Sequence, residues 1–216
     1  MKGRLRNVKI TEEQRVFAEF RDDDFATLSL LKNKFNKFIL EFCCGTGDFL
    51  TEYAKIEPQT FFLGIDYAEN AYLRALKKSY KNKLINCKFY NNYIQKAIEN
   101  LVPEFYDIIY ISFPDPWPKR RHTSRRLVTK QFLKEISVFL KKDGYCIIIT
   151  DNKWYQEFID NELNNEIEYE KFFENWFTEK EDEFLSNFKY FPSNYYNKAK
   201  KVGNVIRYYV LKNKNL

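Results

Sequence analysis

The stretch FPDPWPKRRH, residues 113–122, places one carboxylate between prolines and directly ahead of a run of cations. Proline fixes its own φ and restricts the residue before it, so Pro114 and Pro116 should leave Asp115 little backbone freedom. A carboxylate held in this way suits catalysis or the holding of a substrate. The alternative is a rigid connection in which the same side chain only caps a turn. We take Asp115 as a candidate catalytic residue.

The cations that follow indicate an anionic partner. Five of them fall within eight residues with no acid among them: Lys119, Arg120, Arg121, Arg125 and Arg126. A run of charge is usually a solvated face. Here Thr123 or Ser124 is expected to cap the next helix, and cations at that end oppose the helix dipole unless phosphates dock there. His122, the only histidine, lies inside the run and is interpreted as an RNA contact or a cap.

Strand and helix patterns alternate along most of the chain and position these residues. Strands are predicted at residues 37–40, 60–66, 87–92, 107–113 and 145–150. Helices are predicted at residues 49–55, 70–80, 94–101, about 127–140 and 154–163. Such repeats predict a parallel sheet with right-handed crossovers. Two strand-like runs, near residues 183–188 and 204–211, are expected to add an antiparallel edge. The fold class is therefore α/β, in a single domain covering residues 1–216.

In an open α/β sheet, ligands bind beyond the carboxyl ends of the strands. The residues at those ends are Glu41, Asp66, Asn92, Asp115 and Asp151. Four of these five are acidic, and carboxylates gathered at one edge repel one another unless they bind a cation or a group rich in hydrogen-bond donors. The sequence therefore predicts a ligand with that chemistry.

Gly45 and Gly47, between the first strand and its helix, allow a tight turn. Asp66 follows 19 residues after Gly47, where a carboxylate can accept both ribose hydroxyls of an adenosine. A dinucleotide site would need a third glycine, and that position is Leu50. S-adenosylmethionine needs no pyrophosphate cradle, and its sulfonium and ammonium suit an acidic site. The pattern favours S-adenosylmethionine over NAD.

Two other strand ends complete the predicted cofactor contacts. Glu41 precedes the glycines and is placed for the amino-acid end of the cofactor. Asn92 ends the third strand, where its amide can bond the adenine edge, although Asn91 is an equally polar neighbour and a strand-end turn is the alternative.

Composition narrows the class of protein. The net charge of +6 favours an anionic partner without proving one. The four cysteines form no CxxC pair and there is one histidine, which argues against a zinc site and against a disulfide framework. No apolar run has the length of a membrane span, and the N-terminus has no apolar signal core, so we expect a cytoplasmic protein.

The stretch FPDPWPKRRHTSRRL, residues 113–127, closely resembles the signature of the bacterial single-subunit tRNA (guanine-N7)-methyltransferases. The segments GRLRNVKITEEQ, EFCCGTGDF, FLGID and ITD fall in the order expected for that family, so the resemblance covers most of the chain. It implies a Rossmann-like, S-adenosylmethionine-dependent methyltransferase fold. It also implies methylation of a guanine N7 in tRNA, in the variable loop. The oligomeric state is left open between a monomer and a homodimer.

By position, the resemblance makes Glu41, Asp66, Asn92 and Asp115 cofactor contacts, together with the turn glycines. It makes Lys119 and Asp151 substrate contacts, and Arg121 to Arg126 an RNA-contact segment. A further substrate motif matches Ser193, Asn194, Tyr195 and Tyr196. The chain departs from the family at Cys43, where glycine is usual and a Cβ would crowd the methionine end of the cofactor. It departs again at Tyr196, where an acid is usual.

The chemistry implied needs no His or Cys nucleophile. The lone pair of guanine N7 lies in the ring plane and attacks a methyl carbon without prior deprotonation. Positioning supplies most of the catalysis of such an in-line displacement, and a fixed carboxylate favours the positive charge that develops on the purine. The hypothesis is that Asp115 orients the guanine and Asp151 assists.

Three other functions are weighed. Amino-methylating enzymes carry [DN]-P-P-[YFW] at the same strand end, whereas this chain has one proline and places Trp117 one position early. A non-catalytic RNA-binding protein is the second alternative, and an NAD oxidoreductase the third. The basic N-terminal segment, residues 1–20, either folds over the site or forms a disordered tail.

Overall fold

The computed structural model describes residues 8–164 and 173–214. Its strands are β1 (Lys37–Phe42), β2 (Thr60–Ile65), β3 (Cys87–Tyr90), β4 (Tyr106–Ser112), β5 (Leu140–Thr150), β6 (Phe173–Thr178) and β7 (Arg207–Asn213). The strand order is β3-β2-β1 among the first three strands and β4-β5-β7-β6 among the other four. The predicted α/β class, with a mostly parallel sheet and an antiparallel C-terminal edge, is confirmed.

The α-helices are α1 (Glu12–Ala18), α2 (Asp22–Thr27), α3 (Asp48–Ile56), α4 (Glu69–Lys81), α5 (Ile94–Ile98), α6 (Lys130–Ser137), α7 (Lys153–Asn164), α8 (Glu181–Asn187) and α9 (Asn194–Lys201). Short 3₁₀ helices occupy Leu28–Asn33 and Arg120–Arg125. The described residues divide into two compact units, one of residues 8–102 with 190–193, the other of residues 103–164, 173–189 and 194–214.

The first unit is built on three parallel strands. β1 pairs with β2, setting Glu41 opposite Gly64, and β2 pairs with β3. All six residues of β2 are buried, as expected of a strand that is covered on both faces and therefore reads as a continuous apolar run. The buried strands bring the turns that follow β1, β2 and β3 to the same end of this part of the sheet.

The second unit combines both strand directions. β4 runs parallel to β5, β5 pairs with β7 in antiparallel fashion, and β7 pairs with β6 in the same way. Cys146 to Ile149 in β5 are each 0% exposed, which puts the middle of this strand in the core of the unit.

The prediction of a strand near residues 183–188 is wrong. That segment lies in α8, and the outer antiparallel strand is β6, which precedes it. Phe184 is fully buried and stacks on Phe188 with ring centroids 5.6 Å apart. A spacing of four residues puts both rings on one helix face, and this helical period was overlooked. The second run, near 204–211, is confirmed as β7.

The sequence pattern predicts no helix or strand in residues 9–33, whereas the structure has α1, α2 and a 3₁₀ helix there. Thr11 and Gln14 form a capping box at the start of α1. The N–H of Phe20 donates to the carbonyl of Phe89 on β3 at 2.7 Å. Residues 1–7, which hold most of the cations of the predicted basic N-terminal segment, lie outside the described residues.

Gly47 occupies a turn that only glycine fits. Its φ is +67°, in the left-handed region, and a Cβ there would lie 2.7 Å from Phe89 Cζ and 2.9 Å from Ala75 Cβ. Both the backbone and the packing therefore exclude a side chain. The glycine lets β3, α4 and the start of α3 approach one another closely.

We predict that Gly47→Ala lowers the free energy of unfolding by more than Gly203→Ala does. Gly203 has a similar φ of +74° but no atom within 4 Å of a built Cβ. Gly203→Ala therefore loses only about 1–2 kcal/mol, which a left-handed backbone costs a residue with a Cβ. Gly47→Ala should lose about 1–3 kcal/mol more of unfolding free energy, because its Cβ is overpacked against Phe89 and Ala75. Chemical denaturation of both variants measures the difference. Equal losses would show that Phe89 moves aside without cost.

Candidate functional site

The turn that follows β1 is held in a left-handed conformation. Cys43, Gly45 and Gly47 have φ of 60°, 54° and 67°. Cysteine at the first of these positions is strained, because a Cβ disfavours positive φ. Glycine is therefore the residue that this backbone prefers at position 43. The expectation that Cys43 crowds a cofactor stays a prediction.

Asp66 is oriented by backbone amides. Its Oδ2 accepts the N–H of Gly45 at 2.8 Å, and its Oδ1 accepts the N–H of Ala68 at 2.8 Å. The neighbouring amide of Asn91 donates to the carbonyl of Asp66 at 2.8 Å. The structure thus brings the predicted ribose-binding carboxylate against the predicted glycine turn, and fixes both.

Lys78 on α4 is a supporting residue that sequence reasoning missed. Its ammonium donates to the carbonyl of Thr46 at 2.9 Å and forms an ion pair with Asp48. Thr46 Oγ1 in turn donates to Asp48 Oδ2 at 2.7 Å. These bonds fasten the turn to α4. No sequence spacing links position 78 to the turn, since the contact joins residues some 30 positions apart.

The sequence pattern places Asn92 at the end of the third strand, whereas β3 ends at Tyr90 and Asn92 lies two residues beyond it. Its Nδ2 donates to the hydroxyl of Tyr90 at 2.8 Å, and its Oδ1 accepts the N–H of Tyr93 at 2.9 Å. Beside it, the rings of Tyr67 and Tyr93 stack with centroids 5.3 Å apart, and both side chains are more than half exposed. This aromatic pair was also missed, because each tyrosine alone reads as a loop residue.

Glu41 is 1% exposed at the end of β1, so it is the most deeply buried of the predicted site carboxylates. Two buried cysteines, Cys44 and Cys87, lie near it. Burial, followed by the nearby negative charge of Glu41, raises the pKa of the Cys87 thiol far above its usual value. Burial likewise raises the pKa of Cys44, with Asp66 and Glu41 adding to the effect. Both thiols therefore stay protonated at neutral pH.

In the second unit, Asp115 lies between two strained residues. Phe113 has a φ of 49° and Trp117 a φ of 44°, each directly before a proline. Non-glycine residues in this region cost about 1–3 kcal/mol each, and such strain is concentrated at functional sites. The side chain of Asp115 itself is exposed. The prolines alone predicted restriction, whereas the left-handed turn on each side was not foreseen.

The basic run forms the 3₁₀ helix Arg120–Arg125, and α6 begins only at Lys130. Thr129 caps α6 by accepting the N–H of Phe132 at 3.2 Å. The expectation that Thr123 or Ser124 caps the following helix is therefore wrong, and so is the argument that the cations oppose its dipole. Thr123 instead donates to the carbonyl of Arg120 at 2.7 Å, inside the 3₁₀ turn.

Most of these cations face solvent. Lys119, Arg120, Arg121 and Arg125 are exposed, and none of them pairs with a carboxylate among the described residues. Arg125 also lies over the ring of Trp117 at 5.0 Å, and His122 contacts the same ring edge-on at 5.2 Å. Surface cations without carboxylate partners among the described residues can bind a polyanion. Arg126 differs, being half-buried against α7.

Asp151 follows β5 and borders a cavity of about 490 Å³. Its Oδ2 accepts the amide of Asn204 at 2.7 Å. On another wall, Arg207 pairs with Asp160 at 2.7 Å and with Glu179 at 2.6 Å. The arrangement presents Asp151 as a carboxylate held by one amide, beside a space large enough for a small ring system.

The four consecutive residues of the predicted C-terminal substrate motif have different surroundings in the structure. Ser193 belongs to the first unit, and Asn194 begins α9 in the second. Tyr195 is 57% exposed and stacks on Phe113 at 6.3 Å, which brings it to the Asp115 loop. Tyr196 is 4% exposed. Burial raises the pKa of Tyr196 far above its usual value, and hydrogen bonds with Glu181 and Tyr208 add to the shift.

None of the helices in the described residues combines the length and apolar character that crossing a membrane requires. In the same ranges, no group of three or more His, Cys, Asp and Glu side chains is arranged to hold a metal ion.

Residues 36–207 match a protein family described as "Putative methyltransferase". The chain is 37% identical over 141 residues to a tRNA (guanine-N(7)-)-methyltransferase of Mycoplasma pneumoniae, covering 62% of this chain and 65% of that protein. It is 36% identical over 121 residues to the Thermus thermophilus protein of the same name, covering 56% of this chain and 39% of that protein. The chain thus spans less than two thirds of these relatives. The resemblance inferred from residues 113–127 is confirmed.

Solved structures agree on the fold. The crystal structure of the 16S rRNA methyltransferase KamB superposes with a TM-score of 0.63 at 10% identity, covering 91% of this chain and 95% of that one. An antibiotic-related methyltransferase gives a TM-score of 0.57 at 19% identity, covering 92% and 96%. At these identities the likeness bears on the fold alone.

We predict that Tyr196→Phe lowers the free energy of unfolding by about 1 kcal/mol, because it removes the buried hydroxyl that interacts with Glu181 and Tyr208. Tyr195→Phe should leave stability unchanged, since that side chain is exposed. Urea denaturation of both variants tests the pair. If Tyr196→Phe were as stable as the parent and instead weakened RNA binding, the hydroxyl would be a substrate contact as the sequence predicted.

Proposed function

The chain belongs to the methyltransferase family that matches residues 36–207, and we propose that it transfers a methyl group from S-adenosylmethionine to N7 of a guanine in tRNA. Relatives named for this reaction share more than a third of their aligned residues with the chain. The proposal places the acceptor guanine in the variable loop.

The observation that carries the proposal is the segment after β4. It holds an exposed carboxylate between two residues with left-handed φ, immediately ahead of cations without carboxylate partners in the described part of the chain. Storing strain around Asp115 has a cost that a plain connecting loop would avoid. The adjacent cations, Lys119 to Arg125, provide phosphate contacts that position an RNA without reading its bases.

The first unit fits S-adenosylmethionine by the chemistry of its donors and acceptors. Asp66 is fixed by two backbone amides and would accept the ribose hydroxyls, and Glu41 would take the ammonium of the amino-acid end. Asn92 would bond the adenine edge, and the Gly45–Gly47 turn allows close approach to the backbone. When bound, the cofactor supplies a methyl group on a positively charged sulfur.

Asp115 acts on the acceptor. Its carboxylate would accept hydrogen bonds from the donor edge of guanine, leaving the N7 lone pair directed at the methyl carbon. Methyl transfer would form the N7–carbon bond and break the carbon–sulfur bond, so the purine would become positively charged, and the fixed carboxylate of Asp115 would stabilise that charge. Asp151, held by Asn204, would assist by binding the same base. No residue has to remove a proton before attack, so the buried thiols have no part in the step.

The direct test incubates the protein with S-adenosylmethionine and unmodified tRNA, then resolves the digested nucleosides by mass spectrometry. N7-methylguanosine, located by chain cleavage to one variable-loop position, is the expected product. A methyl group on an exocyclic amine would move the protein to the amino-methylating class. Binding of tRNA without any methyl transfer would favour a non-catalytic RNA-binding protein.

We predict that Asp115→Ala lowers the single-turnover rate by about 10²–10³-fold, as loss of a group that stabilises transition-state charge does. The dissociation constant for tRNA should change little, because phosphate contacts supply that affinity. Asp182→Asn, an exposed carboxylate at the start of α8, is the matched control for loss of charge. Near-normal turnover by Asp115→Ala would refute its assigned role.

We also predict that Arg121→Gln reduces the salt dependence of tRNA binding by about one in the log–log slope, because one phosphate contact is lost. Arg21→Gln, an exposed arginine of the first unit that pairs with Glu19, should leave the slope unchanged. Filter binding at several salt concentrations measures both. Identical slopes in the two variants would exclude the basic run as the phosphate-binding surface.

A further inference from the structure

Arg126 is held by aromatic rings rather than presented to solvent. Its guanidinium lies over the ring of Trp154 at 4.6 Å and over that of Phe158 at 5.0 Å. These two rings are themselves nearly parallel, with an interplanar angle of 8° and centroids 6.0 Å apart. They are spaced i, i+4 on α7, so they share one face of that helix. The guanidinium therefore stacks on a continuous aromatic surface.

The same side chain reaches back to the Asp115 loop. Arg126 Nε donates to the carbonyl of Trp117 at 3.2 Å. Trp117 is the residue with a φ of 44°, two positions after Asp115. One side chain thus connects the strained backbone beside Asp115 to α7.

Further bonds attach the residues after Arg126 to α7 as well. The N–H of Val128 donates to the hydroxyl of Tyr155 at 3.1 Å, and the N–H of Lys130 donates to Glu162 at 2.8 Å. At the other end of the segment, the N–H of Phe113 donates to the carbonyl of Ile149 at 2.8 Å. Both ends of the segment are therefore hydrogen-bonded to neighbouring elements. Between them, the hydrogen bond from Arg126 to Trp117 connects the middle of the loop to α7.

We propose that Arg126 is a positioning residue, which holds the Trp117 backbone and through it the carboxylate of Asp115, and is not one of the phosphate contacts. The proposal rests on the proposed function for its effect on turnover, while the anchoring itself does not. The proposal gives Arg126 a different role from the exposed arginines of the basic run, although the sequence predicted an RNA contact for all of them.

The geometry requires arginine. A planar guanidinium can stack on two rings while its Nε–H points along the stacking plane to a carbonyl, whereas the ammonium of lysine is a compact, strongly hydrated charge. Arg126→Lys therefore keeps the charge and removes both the stacking and the directed hydrogen bond. It distinguishes a positioning role from a phosphate contact, which lysine would largely preserve.

The first experiment measures hydrogen exchange of the backbone amides in residues 113–126 by mass spectrometry, without cofactor or RNA. Arg126→Lys should speed exchange there by about fivefold or more, the loss expected for cation–π contacts. Trp154→Ala should do the same, and Trp154→Phe, which keeps an aromatic face, should restore protection. Trp154 is 36% exposed, so its truncation leaves the core intact. Arg121→Lys is the matched control and should leave exchange unchanged.

The second experiment compares turnover with binding in the same variants. Arg126→Lys should lower the single-turnover rate by about tenfold or more, because a displaced catalytic group loses its alignment. Its tRNA dissociation constant and the salt dependence of binding should match the parent, because the charge is retained. Arg126→Gln should also keep the parental salt slope, whereas Arg121→Gln should lower it by about one.

Unchanged exchange in Arg126→Lys overturns the proposal. So does a salt slope that falls by about one in Arg126→Gln, because that result would make Arg126 a phosphate contact. If the parent protein transfers no methyl group to tRNA, the proposed function fails, and the exchange measurements still decide whether Arg126 anchors the loop. Faster exchange with unaltered turnover would confine Arg126 to a structural role and overturn its positioning of Asp115.

Discussion

Left-handed backbone at the ends of β1 and β4 is the constraint on which the candidate sites depend. After β1, Cys43, Gly45 and Gly47 all have positive φ, and after β4 the same is true of Phe113 and Trp117. Turns of this kind change the direction of the chain within a few residues and restrict the backbone of the residues beside them. Each unit supports its strained turn with contacts from a nearby helix.

The two supports use different chemistry. In the first unit, the ammonium of Lys78 on α4 binds the turn through a carbonyl and Asp48, while Gly47 packs against Phe89 and Ala75. In the second unit, the guanidinium of Arg126 stacks on α7 and binds the carbonyl of Trp117. In both cases a charged side chain donates a hydrogen bond to a backbone carbonyl of the turn, that of Thr46 or that of Trp117. Such charge-assisted hydrogen bonds stabilise a left-handed backbone that is unfavourable for residues with a Cβ.

Charge is also divided between two purposes within one short segment. The exposed cations of the basic run pair with no carboxylate in the described residues and are suited to phosphates. Arg126 directly follows Arg125 in the sequence, yet it packs on aromatic rings. Composition and spacing treat these arginines alike. They differ in their surroundings in the fold. The half-buried guanidinium of Arg126 stacks on aromatic rings and has lost part of its hydration, whereas the exposed arginines stay hydrated.

Sequence reasoning succeeded where local patterns are strong. The continuous apolar runs of β1, β2, β4 and β5 predicted buried parallel strands, and the glycines and prolines predicted tight turns. It failed at residues 183–188, which were interpreted as a strand although Phe184 and Phe188 share a helix face. It failed again at the cap of α6, since Thr123, Ser124 and Thr129 are equally good caps and only the chain path selects Thr129.

The sequence by itself determined the fold class and the family. The fold class follows from the order of apolar and turn-forming residues along the chain, and the family from the stretch at residues 113–127. Only the tertiary structure decided what each side chain touches. It buried Tyr196 and exposed Tyr195 although the two are adjacent, and it joined Lys78 to Thr46 and Arg126 to Trp154. Such contacts join residues far apart in sequence, and their geometry is set by packing, which no local pattern encodes.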